Sequence, residues 1–144
     1  MKKLLLATAL TSIAATPMFA TANEIEFGAD VPVIRGLVID DVSADLALGG
    51  QEFYEGAQFE VITNRATQEE EVTVTTSNVQ AAKLDGTTPA LSKVQLKLNQ
   101  DSEAGHEVTK TLAAGKHKLA ARLNVAPKDL KSGSAMVTTT ITLK

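Results

Sequence analysis

The sequence has 144 residues, of which 14 are basic and 17 acidic, for a formal net charge of −3 at pH 7. This length suits a single domain, and the absence of cysteine excludes a small disulfide-framework protein. The net negative charge disfavours nucleic-acid binding, which requires clustered positive charge. Because the chain holds no tryptophan, one tyrosine and four phenylalanines, we expect a thin core filled mainly by valine, leucine, isoleucine and alanine.

Residues 1–22 have the features of a secretory signal peptide. Lys2 and Lys3 give a positively charged start, Leu4–Ile13 is mostly apolar, and Ala20–Ala22 forms a small-residue cleavage pattern. The apolar stretch is too short for a membrane anchor, since a spanning helix needs about 20 apolar residues. The signal contains two lysines and no acidic residue, so the exported chain that follows it has a net charge of −5.

The exported chain begins with an alternating segment, residues 23–34. One face of this segment carries apolar residues, namely Ile25, Phe27, Ala29, Val31 and Val33. Period-two alternation is typical of a strand. Pro32 is tolerated in an edge strand but not in a central one. Two interpretations stay open, the first strand of a closed sandwich and a free arm.

The remainder, residues 35–144, is predicted to be one domain built of short strands separated by glycine turns. Residues 23–144 contain thirteen threonines and twelve valines, which favour strands over helices. Alternation predicts strands at Gln58–Thr63, Glu71–Thr76, Val79–Leu84, Lys93–Leu98, Glu107–Leu112, Lys118–Val125 and Ala135–Leu143. Pro127–Leu130 is compatible with one helical turn. This pattern predicts an all-β, immunoglobulin-like antiparallel sandwich.

Residues with catalytic or metal-binding chemistry are few. His106 and His117 lie eleven residues apart without cysteine or a patterned carboxylate, which makes a poor metal site. Asp40 and Asp41 are adjacent, so in a strand they point to opposite faces and do not suit a paired acid and base. The acidic run 69–71 is interpreted as a solvated strand entry or loop. We therefore expect no enzymatic activity, no cofactor and no metal.

The two ends of the exported chain carry the most information. In the last strand, Val137, Thr139, Ile141 and Leu143 share one face. The chain resembles the major subunits of chaperone–usher fimbriae. The resemblance rests on this ending, on the arm that runs into Asp30–Ile34, on the segment Phe59–Asn64 and on the valine-rich segment Glu71–Val74. The similarity is to the alternate class that includes the colonisation-factor pili. Leu143 departs from the tyrosine that is common at that position in other subunit classes of the pathway.

The resemblance implies a sandwich that lacks its final strand and leaves a groove beside the C-terminal strand. A periplasmic chaperone would fill the groove first, and the arm of the next identical subunit would then replace it at an outer-membrane usher. The implied donor residues are Ile25, Phe27, Ala29, Val31 and Val33. The implied acceptor and chaperone-facing residues are Val137, Thr139, Ile141 and Leu143. The resemblance further implies a cell-surface pilus that supports adhesion, with a host surface receptor as a further partner.

Two alternatives remain. One is a monomeric periplasmic binding module whose sandwich is complete within one chain, which requires both end strands to pair inside that chain. The other is a small metal-handling sandwich that uses His106 and His117.

Overall fold

A computed structural model describes residues 24–101 and 103–144 of the chain. The predicted signal peptide and Asn23 lie outside the described residues. The chain divides between Val33 and Ile34, and Ile34–Lys144 forms a compact unit. Residues 24–34 have no regular secondary structure. Within the part of the chain that the structure describes, no helix is long and apolar enough to cross a membrane.

The fold is all-β, as the sequence predicts. Its strands are β1 (Arg35–Ile39), β2 (Ala47–Leu48), β3 (Ala57–Thr63), β4 (Glu69–Gln80), β5 (Val94–Leu98), β6 (Glu107–Ala113), β7 (Gly115–Leu123) and β8 (Met136–Leu143). Two short 3-10 turns cover Leu91–Lys93 and Pro127–Asp129, and the second confirms the predicted helical turn.

The strands form a sandwich of two sheets. The larger sheet has the order β1-β3-β7-β2, with β5 also paired to β7, and the smaller has the order β6-β4-β8. All pairs are antiparallel except β2 with β7. The predicted strand Glu71–Thr76 lies within β4, whose register shifts between Thr76 and Asn78. Of the predicted strand Val79–Leu84, only Val79 and Gln80 belong to a strand, and they are the end of β4. Strand pairing therefore continues through a bulge where the sequence indicated a break.

Valine and leucine fill the space between the sheets. In β5 the inward row Val94, Leu96 and Leu98 is buried, as its alternation predicts. Phe59 on β3 is the one aromatic side chain in the buried core of the described residues. The sequence thus predicts both the inward faces and the small size of the core residues.

Two interpretations of carboxylates are wrong. Glu70 is not solvated, because β4 starts at Glu69 and its alternation turns Glu70 inward, where it is 2% exposed. The strand geometry assumed for Asp40 and Asp41 does not apply, because both follow the end of β1 at Ile39, and both carboxylates bind Gln58. The Oδ2 atom of Asp40 accepts from Nε2 of Gln58 at 3.0 Å, and Oδ2 of Asp41 accepts from the Gln58 main-chain N at 2.8 Å.

Candidate strand-acceptor groove

Strand β8 forms one edge of the smaller sheet. It pairs with β4 from Gln80↔Met136 to Val72↔Leu143, and no described strand pairs with its other side. An edge strand presents a row of unpaired main-chain N–H and C=O groups, which is a template for pairing with another segment. Strand β1 forms an edge of the larger sheet in the same way.

The inward side chains of β8 are less buried than their neighbours on β4. Paired residues in antiparallel strands share a face, and the inward row of β4 (Val72, Val74, Thr76 and Val79) is at most 7% exposed. Their partners on β8, Leu143, Ile141, Thr139 and Val137, are only half-buried. The inward side chains of β4 are therefore covered, whereas those of β8 remain partly exposed to solvent.

An open groove of about 660 Å³ lies along β8. We call it the β8 groove. Residues 135–141 form one wall, Ile39 and residues 41–46 form the other, and its floor includes Phe59, Leu119 and Ala121. Ile39 pairs with buried Phe59 and so faces the same side of the sheet, yet it is 47% exposed. The interior of the sandwich is therefore accessible through this groove.

The wall opposite β8 was not identified from the sequence. After Ile39, the main-chain N–H groups of Asp40 and Asp41 both donate to the Gln58 carbonyl. Together with the two carboxylate contacts to Gln58, these bonds end the β1–β3 ladder and turn the chain out into residues 41–46. The signal was the Asp-Asp pair directly after an apolar run, because aspartate commonly caps turns through its side chain.

Arg35 links the start of β1 to the end of β8. Its Nη2 atom is 2.5 Å from the Lys144 main-chain oxygen and 2.5 Å from Oε2 of Glu70. The Thr63 hydroxyl donates to Oε1 of Glu70 at 2.8 Å, and Nε of Arg65 lies 3.4 Å from the same oxygen. Thr63 is the main cause of the lowered pKa of Glu70, burial opposes it, and Arg35 and Arg65 lower it further.

Three of the four predicted acceptor residues, Val137, Thr139 and Ile141, line the β8 groove. Leu143 is not part of the groove lining and packs instead against the buried core. It lies one residue before Lys144, whose main-chain oxygen receives the hydrogen bond from Arg35. The groove lining therefore ends before the last residue of β8.

The predicted donor residues lie in a segment without strand structure. Ile25, Phe27, Val31 and Val33 are 64–79% exposed, and Ala29 is also exposed. Exposed large apolar side chains in a regular alternating row are unusual, because burying each one is favourable.

The side chain of His117 is bonded to groups other than a metal ligand set. His117 bonds through Nε2 to the Ala113 carbonyl at 2.7 Å and through Nδ1 to Asn99 at 3.0 Å. No cluster of three His, Cys, Asp or Glu side chains that could hold a metal ion occurs in residues 24–101 and 103–144. No protein-family model matches this chain, and a comparison with curated proteins finds no match.

Proposed function

We propose that this protein is a structural pilus subunit that polymerises by donor-strand exchange. The observation that carries the proposal is the half-buried inward row of β8 beside the open β8 groove, in a sandwich whose β4 row is fully covered. A further strand beside β8 would cover that row and pair the free edge.

The arm of a second copy has suitable length and pattern for this position. At about 3.3 Å per residue, β8 is about 26 Å long and residues 25–33 extend over about 30 Å. Alternation places five apolar side chains on one face, and a strand inserted beside β8 buries one face only. Burying Ile25, Phe27, Val31 and Val33 contributes up to about 6–12 kcal/mol before the cost of ordering the arm.

The open groove also explains the expected requirement for a chaperone. A free edge beside an apolar groove promotes aggregation. A periplasmic chaperone that covers the groove until the subunit reaches the outer-membrane usher would prevent such association. The subunit needs no catalytic group or cofactor for this role, which is structural and supports adhesion at the cell surface.

The alternative of a closed monomeric module requires the arm to pair within its own chain. Residues 24–34 form no strand, which favours a donor role for the arm. The two functions also differ in their products, since the first yields a polymer and the second a monomer.

The test is polymer assembly in cells that supply a chaperone and an usher. Deletion of residues 23–33, or Phe27→Asp, should abolish surface polymer, because a charge in the groove is costly. The matched control is Asn23→Asp, which adds the same charge outside the donor row and should leave polymer unchanged. Both Phe27→Asp and the deleted chain should still bind the chaperone, because the groove is intact. Undiminished polymer from the deleted chain would contradict the proposal.

A further inference from the structure

A second hollow lies on the outer face of the larger sheet, opposite the face that contributes to the β8 groove. Its volume is about 490 Å³, within the range of about 300–1,000 Å³ that is typical of small-molecule sites. Phe53, Tyr54, Lys97, Gln100, Lys118 and Ala120 are among its lining residues. We call it the Tyr54 hollow.

The hollow is held by the backbone and by a fixed aromatic ring. A Cβ atom on Gly56 would lie 2.4 Å from the Leu119 carbonyl oxygen, so glycine lets the segment after β2 pack directly on β7. The Phe53 ring is 4.5 Å from the Arg122 guanidinium carbon and 5.7 Å from Nζ of Lys97. Arg122 is itself held by hydrogen bonds to Gln95. One wall of the hollow is therefore held by contacts within the chain.

Three side chains around the hollow have hydrogen-bonding groups that are not used within the described chain. Among residues 24–101 and 103–144, the Tyr54 hydroxyl, which belongs to a side chain that is 46% exposed, and the Gln100 amide make no hydrogen bond, and Lys97 has no acidic partner. In contrast, Lys118 is paired with Glu55. The hollow thus combines an exposed aromatic ring, a free amide and an ammonium group without a counterion.

The placement of the aromatic residues adds to this observation. Two of the four aromatic side chains that the structure describes, Phe53 and Tyr54, border this one hollow. In a chain whose core contains a single phenylalanine, burying them would stabilise the fold. Their position on the surface favours a binding role.

We propose that the Tyr54 hollow binds an acidic saccharide. The apolar face of a pyranose ring would stack on Tyr54, its hydroxyl groups would bond to Gln100, and its carboxylate or sulfate would bind Lys97. An anion is favoured because the charge of Lys97 in the hollow is positive and has no acidic partner among the described residues. This site goes beyond the proposed function and does not depend on strand exchange.

The purified protein is tested on an array of neutral, sialylated, uronic-acid and sulfated oligosaccharides, followed by titration calorimetry with each saccharide bound. Binding should be confined to acidic saccharides, and the array separates carboxylate from sulfate. Lys97→Gln and Tyr54→Ala should each weaken it by about fivefold or more. Lys128→Gln, which removes the same charge from an exposed position outside the hollow, should leave affinity unchanged.

Circular dichroism of each variant checks that it is folded. Lys97 makes no ion pair with any described residue, so its replacement should leave the fold intact. Absence of binding to every acidic saccharide, or equal binding of their neutral counterparts, would overturn the proposal. So would a Lys97→Gln variant that is folded and binds as tightly as the parent.

Discussion

Phe27 is the largest side chain of the predicted donor row, and replacing it with alanine should weaken binding of the arm to the β8 groove. The side chain is 79% exposed in the chain, so most of its apolar surface remains available for burial. Full burial of a phenylalanine contributes about 1.5–3 kcal/mol, which corresponds to about 10- to 150-fold in affinity. The assay is fluorescence anisotropy of a labelled peptide covering residues 23–34, titrated with a chain that begins at Ile34.

The matched control is the Glu26→Ala peptide. Alternation places Glu26 on the opposite face from Phe27, so this change should alter affinity by less than about twofold. Equal binding by the Phe27→Ala and parent peptides would refute the assignment of Phe27 to the groove. An equally large loss from Glu26→Ala would refute the assignment of faces.

Three further predictions concern the stability of the sandwich. Gly56→Ala should lower the free energy of unfolding by about 1–3 kcal/mol in urea titrations because the new Cβ meets main-chain atoms at 2.4 Å, whereas Gly36→Ala, with open space around it, should be tolerated. The pKa of Glu70 is lower in the folded chain than its ordinary 4.5. The Glu70 carboxylate should therefore contribute fully to the free energy of unfolding above pH 4.5, and this contribution should be lost as the pH falls through the folded pKa. Glu70→Gln should flatten this part of the acid-unfolding profile. Arg35→Met should lower the free energy of unfolding by about 1–3 kcal/mol, since it removes a 2.5 Å hydrogen bond to buried Glu70. Arg65 is half exposed and lies 3.4 Å from Glu70, so Arg65→Met should lower it by less than about 1 kcal/mol. Equal losses would contradict the stronger role given to Arg35 in holding Glu70.

The strands that were predicted correctly alternate between an inward and an outward face. Residues 94–98 alternate strictly, and the structure buries Val94, Leu96 and Leu98. Strand β1 was not predicted because Leu37, Val38 and Ile39 are consecutive apolar residues without alternation. Such a run fits several structures, and its pairing with β3 is decided by tertiary contacts.

The environment of Glu70 depends on contacts that are distant in sequence. Local patterning indicates a solvated acidic run, whereas the buried Glu70 carboxylate accepts a hydrogen bond from Arg35, which precedes it by 35 residues. The β8 groove is a similar case. Alternation identifies the inward row of β8, but whether that row is covered depends on whether another strand lies beside it. The Asp40-Asp41 pair indicates a turn before residues 41–46, but its bonds to Gln58, 17 and 18 residues further along the chain, are not visible in the local sequence.

Donation of the arm between copies is tested most directly by disulfide trapping, since the chain has no cysteine of its own. Ala29→Cys is combined in one chain with cysteine at each of the three groove-lining positions in turn, Val137, Thr139 and Ile141. Inward side chains of adjacent strands are close enough for a disulfide, which requires Cα atoms about 4.4–6.8 Å apart. We expect at least one pair to give a ladder of covalent multimers on a non-reducing gel. Cross-linking confined to single chains, or none at any of the three positions, would contradict donation between copies.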